Sequence, residues 1–209
     1  MKDLVSKIEK LRNSEVGEAV RGRMEEFTRR KREGNEEWFS ELCFCILTAN
    51  ATAEAGLRAQ RKLGAKGFLS LPERRLADEL RKIGHRFPNA RARFIVEARR
   101  HWQVRDILNE FDDPAHARAW LVDNVKGVGL KEASHFLRNV GFFDFAILDR
   151  HVLGVLHQHG VISEKPRHLS KKKYEEIEKK VRGLADKVRM KPGELDLYLW
   201  FMKTGKVLK

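Results

Sequence analysis

Hydrophobic residues in this chain recur at three- and four-residue intervals, and alternating β-branched runs of strand length are hardly present. Leu76, Leu80 and Ile83 line one side of a segment that opens at Ser70-Leu71-Pro72-Glu73, a capping-box sequence with proline in the first turn, and closes at Gly84. Asp113-Pro114 opens a further helix that carries Trp120 and Leu121. Asn35, Thr52 and Asn89 are candidate N-caps, while Gly64, Gly141, Gly160 and Gly205 are candidate stops. A first helix reaches about Arg32, and Arg29-Arg30-Lys31-Arg32 sets cations at the negative end of its dipole. The pattern predicts an all-α protein of roughly ten or more helices joined by short loops.

Leu121 to Val140 reads as helix, glycine-pinched hairpin and second helix. Gly127 and Gly129 flank the apolar Val128, and glycine tolerates positive φ and close backbone approach. Amides of such a hairpin, together with those of the helix start that follows, can point at a phosphate oxygen. Lys131 falls in the first turn of the second helix, where the positive end of the dipole favours the free, nucleophilic amine. Farther on, Asp149 stands between an apolar lead-in, Ile147-Leu148, and a helical pattern that ends at Gly160. Taken alone, an aspartate there is an N-cap.

At 209 residues the chain is long enough for a substantial core and reads as one globular unit, possibly in two lobes. Lys and Arg number 43 against 30 acidic residues, a formal charge of +13, which points to a polyanionic partner. A thermophile's ion-paired surface accounts for the density of charge but not for its imbalance. Cys43 and Cys45 sit in an apolar helical stretch and read as buried thiols, so an iron-sulfur loop of four cysteines is not expected. His157 and His159 face different sides of a helix, and no zinc-like spacing accompanies them or His135 and His151. No apolar run has membrane-spanning length and the first residues lack a signal-peptide core, so an intracellular protein, cytoplasmic or nucleoid-associated, is expected. Arg91, Arg93, Arg99 and Arg100 share a helix with Phe94 and are candidates for tracking phosphates, whereas Lys171-Lys172-Lys173 reads as a solvated face.

The hairpin, Lys131 and Asp149 together resemble the helix-hairpin-helix DNA glycosylase superfamily. Ile46-Leu47-Thr48-Ala49-Asn50-Ala51-Thr52 extends the resemblance, with Asn50 at the position that fills the gap left by an extruded base. Trp200 and Lys209 in the last segment look like the short archaeal-type 8-oxoguanine DNA glycosylases. One departure is Lys126, where the family often has proline. The resemblance implies a two-lobed helical bundle with a cleft, one lobe about 1–32 plus 151–209 and the other about 36–140. It implies Lys131 and Asp149 as catalytic residues, Phe87, Trp200 and Lys209 in the base pocket, and Asn50, Gly127, Val128 and Gly129 against DNA. It also implies that no cofactor is required, with a structural Na or K ion possible at the carbonyls of Asp123, Val125 and Val128.

The expected activity is excision of 8-oxoguanine from double-stranded DNA, followed by β-elimination at the abasic site through a lysine Schiff base, carried out by a monomer that needs no membrane. A glycosylase for another oxidised base would share Lys131 and Asp149. A non-catalytic duplex-binding module would share the hairpin and the charge, but gives no reason for that lysine and aspartate to occur together.

Overall fold

A computed structural model of the chain describes residues 2–209. Among them the fold is all-α, with no β-strand. In chain order the helices are α1 (Lys2–Arg12), α2 (Glu15–Arg30), α3 (Asn35–Thr48), α4 (Ala53–Ser70), α5 (Glu73–Lys82), α6 (Pro88–Ala98), α7 (Val104–Asn109), α8 (Pro114–Asn124), α9 (Leu130–Asn139), α10 (Arg150–Gln158), α11 (Lys171–Lys187) and α12 (Pro192–Thr204). They fall into two compact units, Arg30–Val140 and the discontinuous pair Met1–Arg29 with Gly141–Lys209.

The Arg30–Val140 unit is built around α3. Every residue from Trp38 to Thr48 is buried, and α4, α6, α7 and α9 pack against it. Cys43 and Cys45 are among these residues, and burial pushes the Cys43 thiol well up from its ordinary value. A single charge lies inside this helix. The Glu41 carboxylate, fully buried, is ion-paired with Arg30 at 3.3 Å and accepts hydrogen bonds from Gln60 Nε2 at 3.3 Å and Asn139 Nδ2 at 2.7 Å. Arg138 Nε donates in turn to Asn139 Oδ1 at 2.9 Å. Trp38 meets Phe136 edge to face, and its indole N–H donates to the Arg30 carbonyl.

In the other unit α12 is the central element, packed against α1, α10 and α11. Leu195, Leu197, Tyr198 and Leu199 form its buried face. Leu4 and Ile8 of α1, Val152, Leu153, Val155 and Leu156 of α10, and Ile177, Val181 and Leu184 of α11 are buried in the same unit.

Several helix ends follow the sequence signals. Thr52 and Asp113 cap α4 and α8 through their side chains, and Gly84, Gly141, Gly160 and Gly205 take positive φ just past helix ends. Others differ for tertiary reasons. The expected first helix is two helices, because the chain breaks at Asn13-Ser14 and Gly17 then lies where a Cβ would stand on the Arg12 carbonyl, 2.0 Å away. Ser70 remains in α4, donating to the Lys66 carbonyl, so the expected capping box at α5 does not form and Pro72 is the N-cap. Asn89 lies inside α6 and accepts from Arg81. Asn35, the first residue of α3, caps a different helix: its Oδ1 accepts from the amides of Arg105 and Asp106 at the start of α7. Gly64 interrupts α4 with φ 59° and ψ −177° rather than ending it. Arg99 and Arg100 lie beyond α6, and Arg99 holds the Phe68 and Leu71 carbonyls at the end of α4.

Removing the Glu41 carboxylate leaves Asn139 without its acceptor and Arg30 with only the partly exposed Glu33 carboxylate, 3.4 Å away. Glu41→Ala should therefore lower stability by about 3–5 kcal/mol, the range for breaking a buried ion pair from one side. Glu41→Gln, which keeps an amide oxygen for Asn139, should lose less. Urea unfolding midpoints test this, and an unchanged midpoint for Glu41→Ala would show that the network does not hold the unit together.

Candidate active site

Helices α8 and α9 are tied side by side where Arg118 donates to Ser134 Oγ at 3.2 Å, both residues being buried. The loop between them closes with Val128 N–H donating to the Val125 carbonyl at 3.1 Å. Gly127 has φ +83°, and a Cβ there would stand 2.5 Å from Phe94 Cδ2, so both the backbone and the space require glycine. Gly129 differs from the expectation of a second permissive turn residue. Its φ of −101° and ψ of −173° are extended, and it serves as the N-cap of α9. The Gly129 amide donates to Glu132 Oε2 at 3.2 Å, while Glu132 Oε1 pairs with Lys131 Nζ at 2.9 Å. One carboxylate thus fixes the helix start and the lysine together. Glu132 was open to discovery in the sequence, since Gly129-x-x-Glu132 has the spacing of a capping box.

The turn after α3 carries Asn50, exposed and at φ 56°, a left-handed conformation that asparagine tolerates better than most residues. Two buried side chains anchor the carbonyls beside it. Arg91 Nη2 donates to the Ala49 carbonyl. His85 Nδ1 accepts from the Phe87 amide at 3.2 Å, so Nε2 carries the hydrogen and donates to the Leu47 carbonyl at 2.8 Å. Burial pushes the His85 pKa down from its ordinary value and keeps the ring neutral, as this pattern requires. Phe87 caps α6 and leaves 37% of its surface exposed, with Arg86 stacked on its ring at 4.9 Å.

Arg91 also joins this turn to the hairpin. Its guanidinium lies 5.5 Å from the centre of the Phe94 ring, the ring that fills the space against Gly127. Arg93 and Lys126 approach the same ring at 5.6 and 5.8 Å, and Lys126 pairs with Glu97 at 3.4 Å. Burial lowers the pKa of Arg91, with the Glu132 charge acting in the opposite sense. Sequence reasoning placed Arg91 and Arg93 among phosphate-tracking candidates; Arg91 is instead buried and internally bonded. Asn50, Phe87, Lys131 and the hairpin residues 127–129 therefore share one connected frame within the Arg30–Val140 unit.

In the other unit Asp149 caps α10. Its Oδ1 accepts from the amides of His151 at 2.8 Å and Val152 at 2.7 Å, and Oδ2 takes no hydrogen bond from a described residue. The His151 ring packs edge to face against Trp200 of α12 at 6.1 Å, which brings Trp200 to the helix that Asp149 starts. Lys209 is 8% exposed, unlike a frayed tail. Among the described residues no group of three or more His, Cys, Asp or Glu is placed to hold a metal ion.

Gly127→Ala adds a methyl group against Phe94 at a positive φ, and should cost roughly 1–3 kcal/mol of stability. Gly129→Ala meets only the Glu132 carboxylate, 3.3 Å away, and should cost less. Thermal unfolding of the two variants tests the order, and equal losses would contradict the difference between the two glycines.

Comparison with known proteins agrees with this geometry. The family model described as 8-oxoguanine DNA glycosylase, of helix-hairpin-helix type, matches residues 20–190. An 8-oxoguanine DNA glycosylase/AP lyase of Methanocaldococcus jannaschii is 52% identical over 206 residues, covering 99% of each chain. The crystal structure of the glycosylase/lyase from that organism, in complex with a 15mer DNA containing 8-oxoguanine, superposes with a TM-score of 0.96 at 51% identity, covering 99% of both chains. The crystal structure of the 8-oxoguanine DNA glycosylase of Thermotoga maritima gives a TM-score of 0.93 at 46% identity, covering 100% of this chain and 99% of that one. With the hairpin, the lysine at the start of α9 and the family match extending over most of its length, the chain belongs to the helix-hairpin-helix family of 8-oxoguanine DNA glycosylases.

Proposed function

We propose that this protein excises 8-oxoguanine from duplex DNA and nicks the resulting abasic site, with Lys131 as the nucleophile and Asp149 as the carboxylate that serves it. The observation that carries the reading is Lys131 itself, set in the first turn of α9 beside the hairpin and held by Glu132, in a chain matched along its whole length by glycosylase/AP lyases. A base stacked in a duplex is out of reach of a side-chain amine, so it is extruded first. Asn50 then fills the gap, and Phe87 and Trp200 offer aromatic faces to the extruded base.

Breaking the glycosidic bond builds positive charge on the sugar. The Asp149 carboxylate stabilises that charge through Oδ2 while Oδ1 stays bonded to the α10 amides. The unprotonated Lys131 amine attacks C1′. The C1′–N9 bond breaks, and its electron pair leaves with the base, which takes up a proton. Opening of the sugar gives a Schiff base between Nζ and C1′; loss of a C2′ proton then expels the 3′ phosphate. All of this chemistry lies within the reach of an amine and a carboxylate.

The hairpin meets the phosphate backbone through the Gly127 amide, since the Val128 and Gly129 amides are already donated to the Val125 carbonyl and to Glu132, with the net charge of +13 drawing in the polyanion. The carbonyls of Asp123, Val125 and Val128 offer hard oxygen donors suited to a Na or K ion. Val125 already accepts the Val128 amide and retains one lone pair for such an ion. No described helix is long and apolar enough to cross a membrane, and the working form is a cytoplasmic or nucleoid-associated monomer.

Lys131→Gln should abolish both borohydride trapping and strand nicking while duplex binding persists, because the amine is lost but length and hydrogen bonding remain. A panel of duplexes, each with one lesion, reads the substrate in the same assay. Full nicking by the purified variant would overturn the assignment of the nucleophile.

Lys209 offers a charged donor, and an α-carboxylate acceptor where the chain ends there, for the N7–H and O8 that distinguish 8-oxoguanine from guanine. Deleting Lys209 should slow excision by roughly 10- to 150-fold, the effect of one charge-assisted hydrogen bond. Nicking of a preformed abasic site, which needs no base recognition, should change much less. Equal effects on the two substrates would remove Lys209 from the base pocket.

A further inference from the structure

Asp149 lies at the end of a segment that has no regular secondary structure yet is deeply buried. Phe145, Ala146, Ile147 and Leu148 are each at most 5% exposed. Buried irregular backbone must find partners for its amides and carbonyls outside a helix or sheet ladder. Two side chains of α11 supply them. Tyr174 Oη donates to the Ala146 carbonyl at 2.6 Å and accepts from the Leu148 amide at 3.4 Å. Glu178, one helical turn later, accepts the Ala146 amide on Oε1 at 3.0 Å. Both polar groups of Ala146 and the amide of Leu148 are thus fixed to one rigid helix, immediately before Asp149. Farther back, the Gly193 amide at the start of α12 donates to the Phe143 carbonyl at 2.9 Å.

Tyr174 and Glu178 are themselves buried, at 2% and 4% exposure, in a helix whose other faces carry lysines and glutamates. A buried carboxylate is costly unless its hydrogen bonds are well made. Here Glu178 spends one oxygen on the Ala146 amide, while the other lies 3.6 Å from Arg182. Hydrophobic contacts could hold residues 145–148 in the core but would permit sliding along the chain. Directional bonds to Ala146 and Leu148 fix the register of the chain, and with it where the Asp149 carboxylate stands.

We propose that Tyr174 and Glu178 are positioning residues for the reaction, holding the Asp149 carboxylate in place through the main chain of residues 146–148. This inference rests on the reading of Asp149 as the reaction's carboxylate. A displacement on the order of 1 Å at a reacting group costs up to about 100-fold in rate, so the effect should be visible in the chemical step.

The test is single-turnover excision of 8-oxoguanine by the full chain. Tyr174→Phe keeps the ring and removes the hydroxyl; it should slow the chemical step about 10- to 100-fold while affinity for a duplex with a non-cleavable abasic analogue stays within about twofold of wild type. Glu178→Ala should behave alike, and Glu178→Gln, which keeps an oxygen for the Ala146 amide, should recover most of the rate. In an Asp149→Asn background, Tyr174→Phe should cause little further loss, because the group it positions is already disabled.

A wild-type rate for Tyr174→Phe, or an equal additional loss in the Asp149→Asn background, would overturn the inference. Full activity of Asp149→Asn alone would overturn the underlying reading and is seen independently of the α11 variants. If circular dichroism shows that Tyr174→Phe does not fold, the contrast between Glu178→Ala and Glu178→Gln decides: recovery by glutamine supports positioning, and equal rates for the two overturn it.

Discussion

The buried Glu41 carboxylate sets the terms for the Arg30–Val140 unit. A helix that is apolar on all sides can rotate or slide among its neighbours with modest penalty, since oily contacts are interchangeable. A buried charge cannot be treated in this way, because each lost partner leaves an ion without water. Glu41 therefore ties α3 simultaneously to the end of α2 through Arg30, to α4 through Gln60 and to α9 through Asn139. Asn139 ends α9, whose second residue is Lys131. They lie eight positions apart, about 12 Å along the axis, so fixing one end in rotation and depth also aims the other. The Lys131 amine, the proposed nucleophile, owes its direction partly to a carboxylate two to three helical turns away.

A second anchor acts on the loops. Arg91 makes its hydrogen bond to the Ala49 carbonyl beside Asn50 and lies over the ring that packs under Gly127. His85 holds Leu47 from the same side and fixes the amide of Phe87. Loops that touch nucleic acid gain from being ordered beforehand, since less conformational entropy is then lost on binding. The Phe94 ring gathers Arg93 and Lys126 around the hairpin base.

Much of this was legible along the chain, because the signals concerned are local. Helical periodicity, the Thr52 and Asp113 caps, the glycine stops and the hairpin with Lys131 all involve residues within a turn or two of one another. Asp149 was read as a cap by position, and its two amide bonds have that geometry. The failures share a cause. Asn35 caps α7, seventy residues on, rather than its own helix; Ser70 turns back into α4; Arg91 is drawn into the interior by a carbonyl forty-two positions away. Polar side chains are versatile, and their partners are chosen by packing that a linear reading does not contain. Tyr174 and Glu178 were the least visible, embedded in a lysine-rich stretch that reads as a solvated face.

The discontinuous unit imposes an order on synthesis. Leu4 and Ile8 belong to a core whose other half begins at Gly141, and Arg12 donates its hydrogen bond to the Val188 carbonyl, 176 positions later. The first two helices therefore leave the ribosome with apolar faces that nothing yet covers. At roughly 5–20 residues per second, the wait until α12 emerges is on the order of ten to forty seconds. The Arg30–Val140 segment is contiguous and can close during that interval. The nascent chain thus carries an unsatisfied leading end while its middle matures, and the half that bears Asp149 is the last to become whole.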